Sequence, residues 1–209
     1  MPTWGSPTVG NRRTDTIAGM SDWSPYITKT NGMAPRDTYV DAVERFDVPG
    51  DAIDLGYGAG NEVMDLLGRG WRVHAIDADP AAEAALRNRA ADDAGLRIST
   101  MRLNDAPLSS ADLIHAGSSL FFTDADRFDT LWGDIVDALN PGGRFVGNLL
   151  GPRDSWAGSS TVFSLTREQV ESLLTGLEVE SLREQDEAGR SMQGPKHWHA
   201  FHIIARKPA

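Results

Sequence analysis

The chain contains no cysteine. That absence excludes disulfides, thiolate metal sites and a cysteine nucleophile, although it identifies no compartment. Positive charge is also scarce, with twenty Lys and Arg against thirty Asp and Glu and a formal charge of −10 over 209 residues. Such a balance repels a phosphate backbone and no basic tract compensates for it, so nucleic acid is not an expected partner. No apolar run is long enough to span a bilayer, and the N-terminus has neither a basic leader nor an apolar signal core. The expectation is a soluble cytoplasmic protein without a membrane partner. Oligomeric state is open. Internal repeats and linkers are missing too, so residues 23–209 are expected to form a single domain. Residues 1–22, rich in Gly, Pro, Thr and Arg and without a period, are expected to be a flexible leader.

What is present is organised around Ala52-Ile53-Asp54-Leu55-Gly56-Tyr57-Gly58-Ala59-Gly60-Asn61-Glu62-Val63. Ile53 and Leu55 are strand formers, the three glycines permit a tight turn, and Asn61 is a candidate cap for a helix through Val63, Met64, Leu66 and Leu67. A glycine loop lets a ligand approach the main chain, and a helix start offers unpaired N–H groups, which suits a nucleotide-like cofactor. A second apolar run, Trp71 to Ile76, ends in Asp77. An acidic side chain at that strand tip is placed to accept hydrogen bonds from ribose hydroxyls. A dinucleotide fingerprint would want Gly at position 61, where this chain has Asn61, so a nicotinamide or flavin enzyme is a distant reading.

Along the chain, Trp23 to Gly32 is aromatic and turn-rich, and Pro35 is expected to start a helix with Tyr39, Val40, Val43 and Phe46 on one face. Residues 23–47 read either as a packing arm or as a lid with Trp23, Tyr26 and Arg36 facing inward. Pro80 opens a further helix that stops by Gly95, Leu96–Met101 makes a third strand, and Asn104-Asp105-Ala106-Pro107 a polar loop at its carboxyl end. Ala111–Ala116 is a fourth strand, Asp124–Leu139 a helix closed by Asn140-Pro141-Gly142-Gly143, and Arg144–Leu150 a fifth strand. A helix at Thr166–Leu174 follows. Glu178–Asp186 and His197–Arg206 alternate as an antiparallel pair joined by residues 187–195. The sum is an α/β fold: a Rossmann-like seven-stranded mixed sheet with helices on both faces and a C-terminal antiparallel hairpin.

The order of elements, the AIDLGYGAGN loop, the acidic tip in AIDAD, the NDAP loop, NPGGRF and the terminal hairpin resemble the class I S-adenosylmethionine-dependent methyltransferases over roughly Tyr26 to Lys207. The PKHWHAFHIIARK ending and the GPRDSWAG loop look like a group of small stand-alone bacterial members of the tellurite-resistance type. The resemblance implies S-adenosylmethionine as cofactor. It also implies that Asp54, Gly56, Gly58 and Gly60 surround its methionine part, that Asp77 holds the ribose, that Asp105 meets the adenine amino group, and that Ala78 and Ala106 lie near the adenine faces. Tyr57 departs from the family, which usually has a small residue or cysteine there. The phenol is expected to turn to solvent; the alternative, in which it narrows the methionine end or takes part in chemistry, keeps it a catalytic candidate.

Methyl transfer from a sulfonium needs in-line geometry, dryness and sometimes a base. His115 at the end of the fourth strand is the candidate base, with Tyr57 and Tyr26 beside it. Arg36, at the cofactor, and Arg153, at the substrate, are candidates to pin a carboxylate. Trp23, Phe121, Phe122 and Trp156 are expected to accommodate a small-molecule acceptor. His197 and His199 share one face of the last strand and His202 the other, so the three cannot bind one metal from an unbent strand, and no metal is expected. Three functions follow: methyl transfer to a small acceptor; cyclisation of the cofactor's own aminobutyrate part with release of methylthioadenosine; or cofactor binding without chemistry, as a regulator.

Overall fold

The computed structural model describes residues 23–90, 92–192 and 194–209. The expected leader, residues 1–22, lies outside them. Seven strands form one sheet in the order β3-β2-β1-β4-β5-β7-β6. The strands β1 (Asp51–Leu55), β2 (Arg72–Asp77), β3 (Leu96–Thr100), β4 (Ala111–Ala116) and β5 (Leu139–Leu150) run parallel, and β6 (Glu178–Ser191) and β7 (Gly194–Arg206) add an antiparallel edge. β1 and β4 are buried almost throughout, as expected for central parallel strands covered on both faces.

Period-two alternation sorts the core. Ile53, Leu55, Ile114 and Phe145 pack with α5 (Phe128–Ala138) and with Val170 of α6 (Arg167–Leu173). Ala52, Leu113 and Val146 pack on the other face with Tyr39 of α2 (Asp37–Val43), Val63 and Leu66 of α3 (Asn61–Gly68) and Leu86 of α4 (Pro80–Ala90). Thr166 and Gln169 cap α6 reciprocally, the pattern that marks a helix start.

Five local expectations change, the first being that β5 begins at Leu139, so Asn140 to Gly143 belong to the strand and not to a loop that closes the preceding helix. The turn-rich segment becomes a helix, α1 (Ser24–Thr30), because Pro25 lies in its first turn, where a missing N–H costs nothing. α2 starts at Asp37, with Arg36 rather than Pro35 at its boundary. Asn61 does not cap α3. Gly60, left-handed at φ 72°, precedes it, and the Asn61 amide instead clamps the end of α1, donating to Thr30 O (2.8 Å) and accepting from Gly32 N (3.0 Å). The residues expected to join the last two strands are mostly ladder, with pairing continuing from Asp186↔His199 to Ser191↔Gly194. Alternation is weak there, since exposed polar side chains occupy both faces, and so the strand is illegible from hydropathy.

Candidate active site

The order of strands reverses direction between β1 and β4, and open α/β sheets bind ligands at the carboxyl ends of the strands beside such a point. A cavity of about 630 Å³ lies there, lined by the glycine loop, α1, the tips of β2 and β4, and the far end of the β6–β7 hairpin. Gly56 has φ 75°, and a Cβ on it would lie 2.3 Å from Ser119 Cβ. Gly60 would bring a Cβ to 2.8 Å from Leu86. Only glycine lets the loop turn so close to its neighbours.

Asp77 ends β2 on the cavity wall beside Ala78. It accepts from Gly58 N and Asp79 N, both at 2.9 Å, which leaves lone pairs for further donors. Burial pushes its carboxyl above the ordinary range, against the lowering effect of those two N–H groups. Asp105 and Ala106 are not on this wall. Asp105 is more than half exposed and pairs with Arg127 at 2.9 Å, and Ala106 packs against the core. A short 3₁₀ turn over Leu103–Asp105 presents Leu103 and Asn104 instead. Asn104 Oδ1 accepts from Asp124 N while its buried Nδ2 has no partner among the described residues, an amide donor beside the cavity.

At the tip of β4, His115 is 3% exposed and its Nδ1 lies 2.8 Å from Oδ1 of Asp54, which is fully buried. The two are register partners across β1 and β4, so their side chains emerge together on one face. Tyr39 packs edge-on to the imidazole at 5.4 Å. Gly117 leaves room for this group, since a Cβ there would come within 2.8 Å of His115 Nε2 and 3.1 Å of Arg36 Nη1. Asp54 Oδ2 has no partner among the described residues. Neither Asp54 nor Gly60 reaches the cavity surface; both shape it from behind.

Glu62, absent from the sequence-based candidates, lines the cavity and accepts from Arg36 Nη1 at 2.7 Å. Burial would raise its carboxyl, but the neighbouring His115 and Arg36, with backbone N–H groups, outweigh it and hold it below the ordinary range. Burial would likewise lower the Arg36 guanidinium, and Glu62 outweighs it. Arg36 Nη2 also donates to Tyr26 OH at 3.3 Å. A lone buried glutamate at the second position of a helix carries no sequence signal that separates it from a solvated one.

Tyr57 does not turn to solvent. It is 5% exposed, shares the buried cluster of Ala82 and Leu86, and leaves its hydroxyl unpartnered among the described residues. Burial, helped by Asp77, pushes the phenol above its ordinary value, so it stays protonated.

The remaining wall is aromatic. Trp23 contacts Tyr26 (5.9 Å) and Phe122 (5.0 Å), Phe122 contacts Trp156 (6.3 Å), and Trp156 contacts Trp198 (5.6 Å). Phe121 lies behind this wall with Leu150 and Val162 rather than on it. Trp198 comes from β7 and is the member that sequence reasoning missed. Arg153 is not on the cavity. Its guanidinium binds Glu184 (3.0 Å) and Asp186 (2.6 Å) on the outside of the hairpin, and Arg153 N donates to His199 Nδ1 at 3.0 Å. His199 therefore carries its proton on Nε2 and donates it to Glu184 at 2.9 Å. His197 pairs with Asp186 and His202 with Gln185, so each histidine has its own partner.

Residues 53–145 match a family model described as a methyltransferase domain. Hemagglutinin 1 of Eikenella corrodens is 30% identical over 120 residues, 56% of this chain and 40% of that protein. Among solved structures, TehB from Haemophilus influenzae superposes with a TM-score of 0.73 at 18% identity, over 87% of this chain and 65% of that one. The Burkholderia thailandensis 1,6-didemethyltoxoflavin-N1-methyltransferase, crystallised with 1,6-didemethyltoxoflavin and S-adenosylhomocysteine, superposes at 0.66 and 19% identity over 87% and 81% of the two chains. The chain thus spans less than two thirds of Hemagglutinin 1 and of TehB. The described chain thus has the class I S-adenosylmethionine-dependent methyltransferase fold, with the match to a methyltransferase domain model lying over residues 53–145.

Proposed function

We propose that the chain is an S-adenosylmethionine-dependent methyltransferase acting on a small-molecule acceptor. The observation that carries this reading is the division of one cavity between a glycine loop with Asp77 at its side and an aromatic wall with no backbone cradle. The residues fit the cofactor. Asp77 has lone pairs left for ribose hydroxyls, the unpartnered Asn104 Nδ2 suits a ring-nitrogen acceptor of adenine, and Gly56 and Gly58 keep the methionine end open. When bound, S-adenosylmethionine supplies an electrophilic methyl carbon on a sulfonium.

The chain's own contribution is a base and a dry site. Asp54 accepts the Nδ1 proton of His115, which leaves the Nε2 lone pair to take a proton from the acceptor as its nucleophile forms the new bond to carbon. Arg36, Glu62 and Tyr26 fix one side, and residues 23–47 act as a roof that is pinned by Trp23 N to Asp79 (3.0 Å) and by Tyr39 OH to Asp65 (2.8 Å). The same pair of Asp54 and His115 favours a second reading, in which the proton comes from the amino acid part of S-adenosylmethionine and that part closes on its own γ-carbon.

Incubation with S-adenosylmethionine, with and without candidate acceptors, followed by mass spectrometry of the nucleosides separates the readings. Acceptor-dependent adenosylhomocysteine supports methyl transfer, and methylthioadenosine without an acceptor supports cyclisation. Failure to bind adenosylhomocysteine in calorimetry would overturn both. His115→Ala is expected to lower turnover by about 10²–10⁴-fold at unchanged cofactor affinity, the range for removal of a general base.

A further inference from the structure

The aromatic wall carries information about what it binds, given the methyltransferase reading on which this inference rests. Lys196 lies with its Nζ 3.7 Å from the ring centroid of Trp156 and 4.3 Å from that of Trp198, and its carboxylate partner is the buried Asp154. Its side chain is 1% exposed and takes no part in lining the cavity, so it occupies the buried side of both indoles. The π-faces that a ligand cation would seek are already served by a cation from behind, and a second cation in front would be repelled by it. The wall is thus built against quaternary ammonium and amine ligands and for neutral or electron-rich rings, which stack without that penalty.

The charges around it point the same way. In a chain of net charge −10, the cavity is lined by Lys29, Arg36, Arg102 and Arg190 against two carboxylates, Glu62 and Asp77. Arg36 is committed to Glu62 and Arg102 to Asp124. Arg190 has no ion pair among the described residues. Its main chain is tied to the wall, because Trp198 Nε1 donates to Arg190 O at 3.4 Å and the indole crosses β6 at Gly189, where a Cβ would come within 2.8 Å of the ring. A glycine at 189 leaves room for Trp198 to cross the strand and line the same cavity as Arg190.

We propose that this wall binds an aromatic carboxylate, its ring against Trp156 and Trp198 and its carboxylate at Arg190. Arg190 and Trp198 then determine acceptor specificity.

The test has two arms, both by calorimetry on the full chain. Titration with S-adenosylhomocysteine examines the methyltransferase reading by itself. Indole-3-carboxylate, its neutral amide, cyclohexanecarboxylate and benzyltrimethylammonium are then titrated into the free protein and into the adenosylhomocysteine complex. The expected result is that indole-3-carboxylate binds at least tenfold more tightly than the amide and the alicyclic acid, with no heat from the ammonium. Arg190→Gln, a change at an exposed hairpin tip, should erase the difference between acid and amide. Equal binding of acid and amide to the wild-type chain, tighter binding of the ammonium, or an unchanged preference in Arg190→Gln overturns the proposal even when adenosylhomocysteine binds. Failure of the nucleoside to bind while the aromatic acid still does would remove the methyltransferase reading and leave the anionic aromatic site standing.

Discussion

The parallel half of the sheet and its antiparallel edge build different walls of the cavity by different means. Beside β1, β2 and β4 the wall is main chain and short side chains, with glycines at positive φ and carboxylates whose partners are backbone N–H groups or a neighbouring strand. Beside the hairpin it is made of long side chains, Trp198, Arg190 and Met192, laid over strands whose outer faces carry the network of Arg153, Glu184 and Asp186. A wall of backbone tolerates almost no substitution, because anything added meets atoms that cannot move. One of side chains can be rebuilt, which on the proposed reading lets acceptor choice vary while the cofactor end stays constant.

That contrast can be broken at graded cost. Gly56→Ala should be the most damaging substitution, losing about 3 kcal/mol of stability from combined left-handed strain and overpacking against Ser119. A denaturant midpoint within error of the wild type would show that the loop yields after all. Asp77→Ala should come next, costing about 1.5–3 kcal/mol in adenosylhomocysteine affinity through hydrogen bonds to a charged group. The fold should survive it. Because burial raises the Asp77 carboxyl, its ionisation opposes folding, and that cost is absent at low pH and complete above the folded pKa. Asp77→Asn should therefore stabilise the ligand-free protein at neutral pH while weakening cofactor binding, and melting curves with and without ligand would reveal any departure.

The hairpin half should respond more mildly. Burial and the Arg183 charge push His202 down to about 4 from an ordinary 6.5. Its depressed folded pKa means that stability is full above pH 6.5 and is lost as the pH falls from there through 4. His202→Gln should flatten that slope, and thermal unfolding across the window would expose an unchanged one. Arg153→Ala should have the smallest effect, within about 1 kcal/mol, since the guanidinium is more than half exposed and surface pairs are screened. A larger loss would mean that the outer network holds the hairpin in place over the cavity.

Much of the glycine-loop end of the cavity is legible because its signals are local. Ile53, Leu55 and the three glycines announce a strand and a turn within a few residues, and Asp77 follows at the tip of the next apolar run. The aromatic end is legible only in pieces. Trp23 and Trp156 are visible as aromatics, but composition does not separate Phe121, which lies behind the wall, from a wall residue, nor Arg153, which the hairpin claims, from a ligand contact. Asp105 misled for a related reason, since a 3₁₀ turn moves the facing residue back by one to Asn104. Tyr57 was the one loop residue whose direction mattered, and its burial follows from packing beside α4, which no local pattern encodes.

By itself, then, the sequence determined the order of strands and of the helices between them, though not α1, together with the glycine loop and the acidic strand tip, since each depends on hydropathy period or backbone freedom within a short window. Tertiary structure alone decided that Asp54 meets His115 across 61 residues and that Lys196 reaches behind two tryptophans. Those meetings are set by strand register and ladder length, and register is a property of two strands together, not of either one.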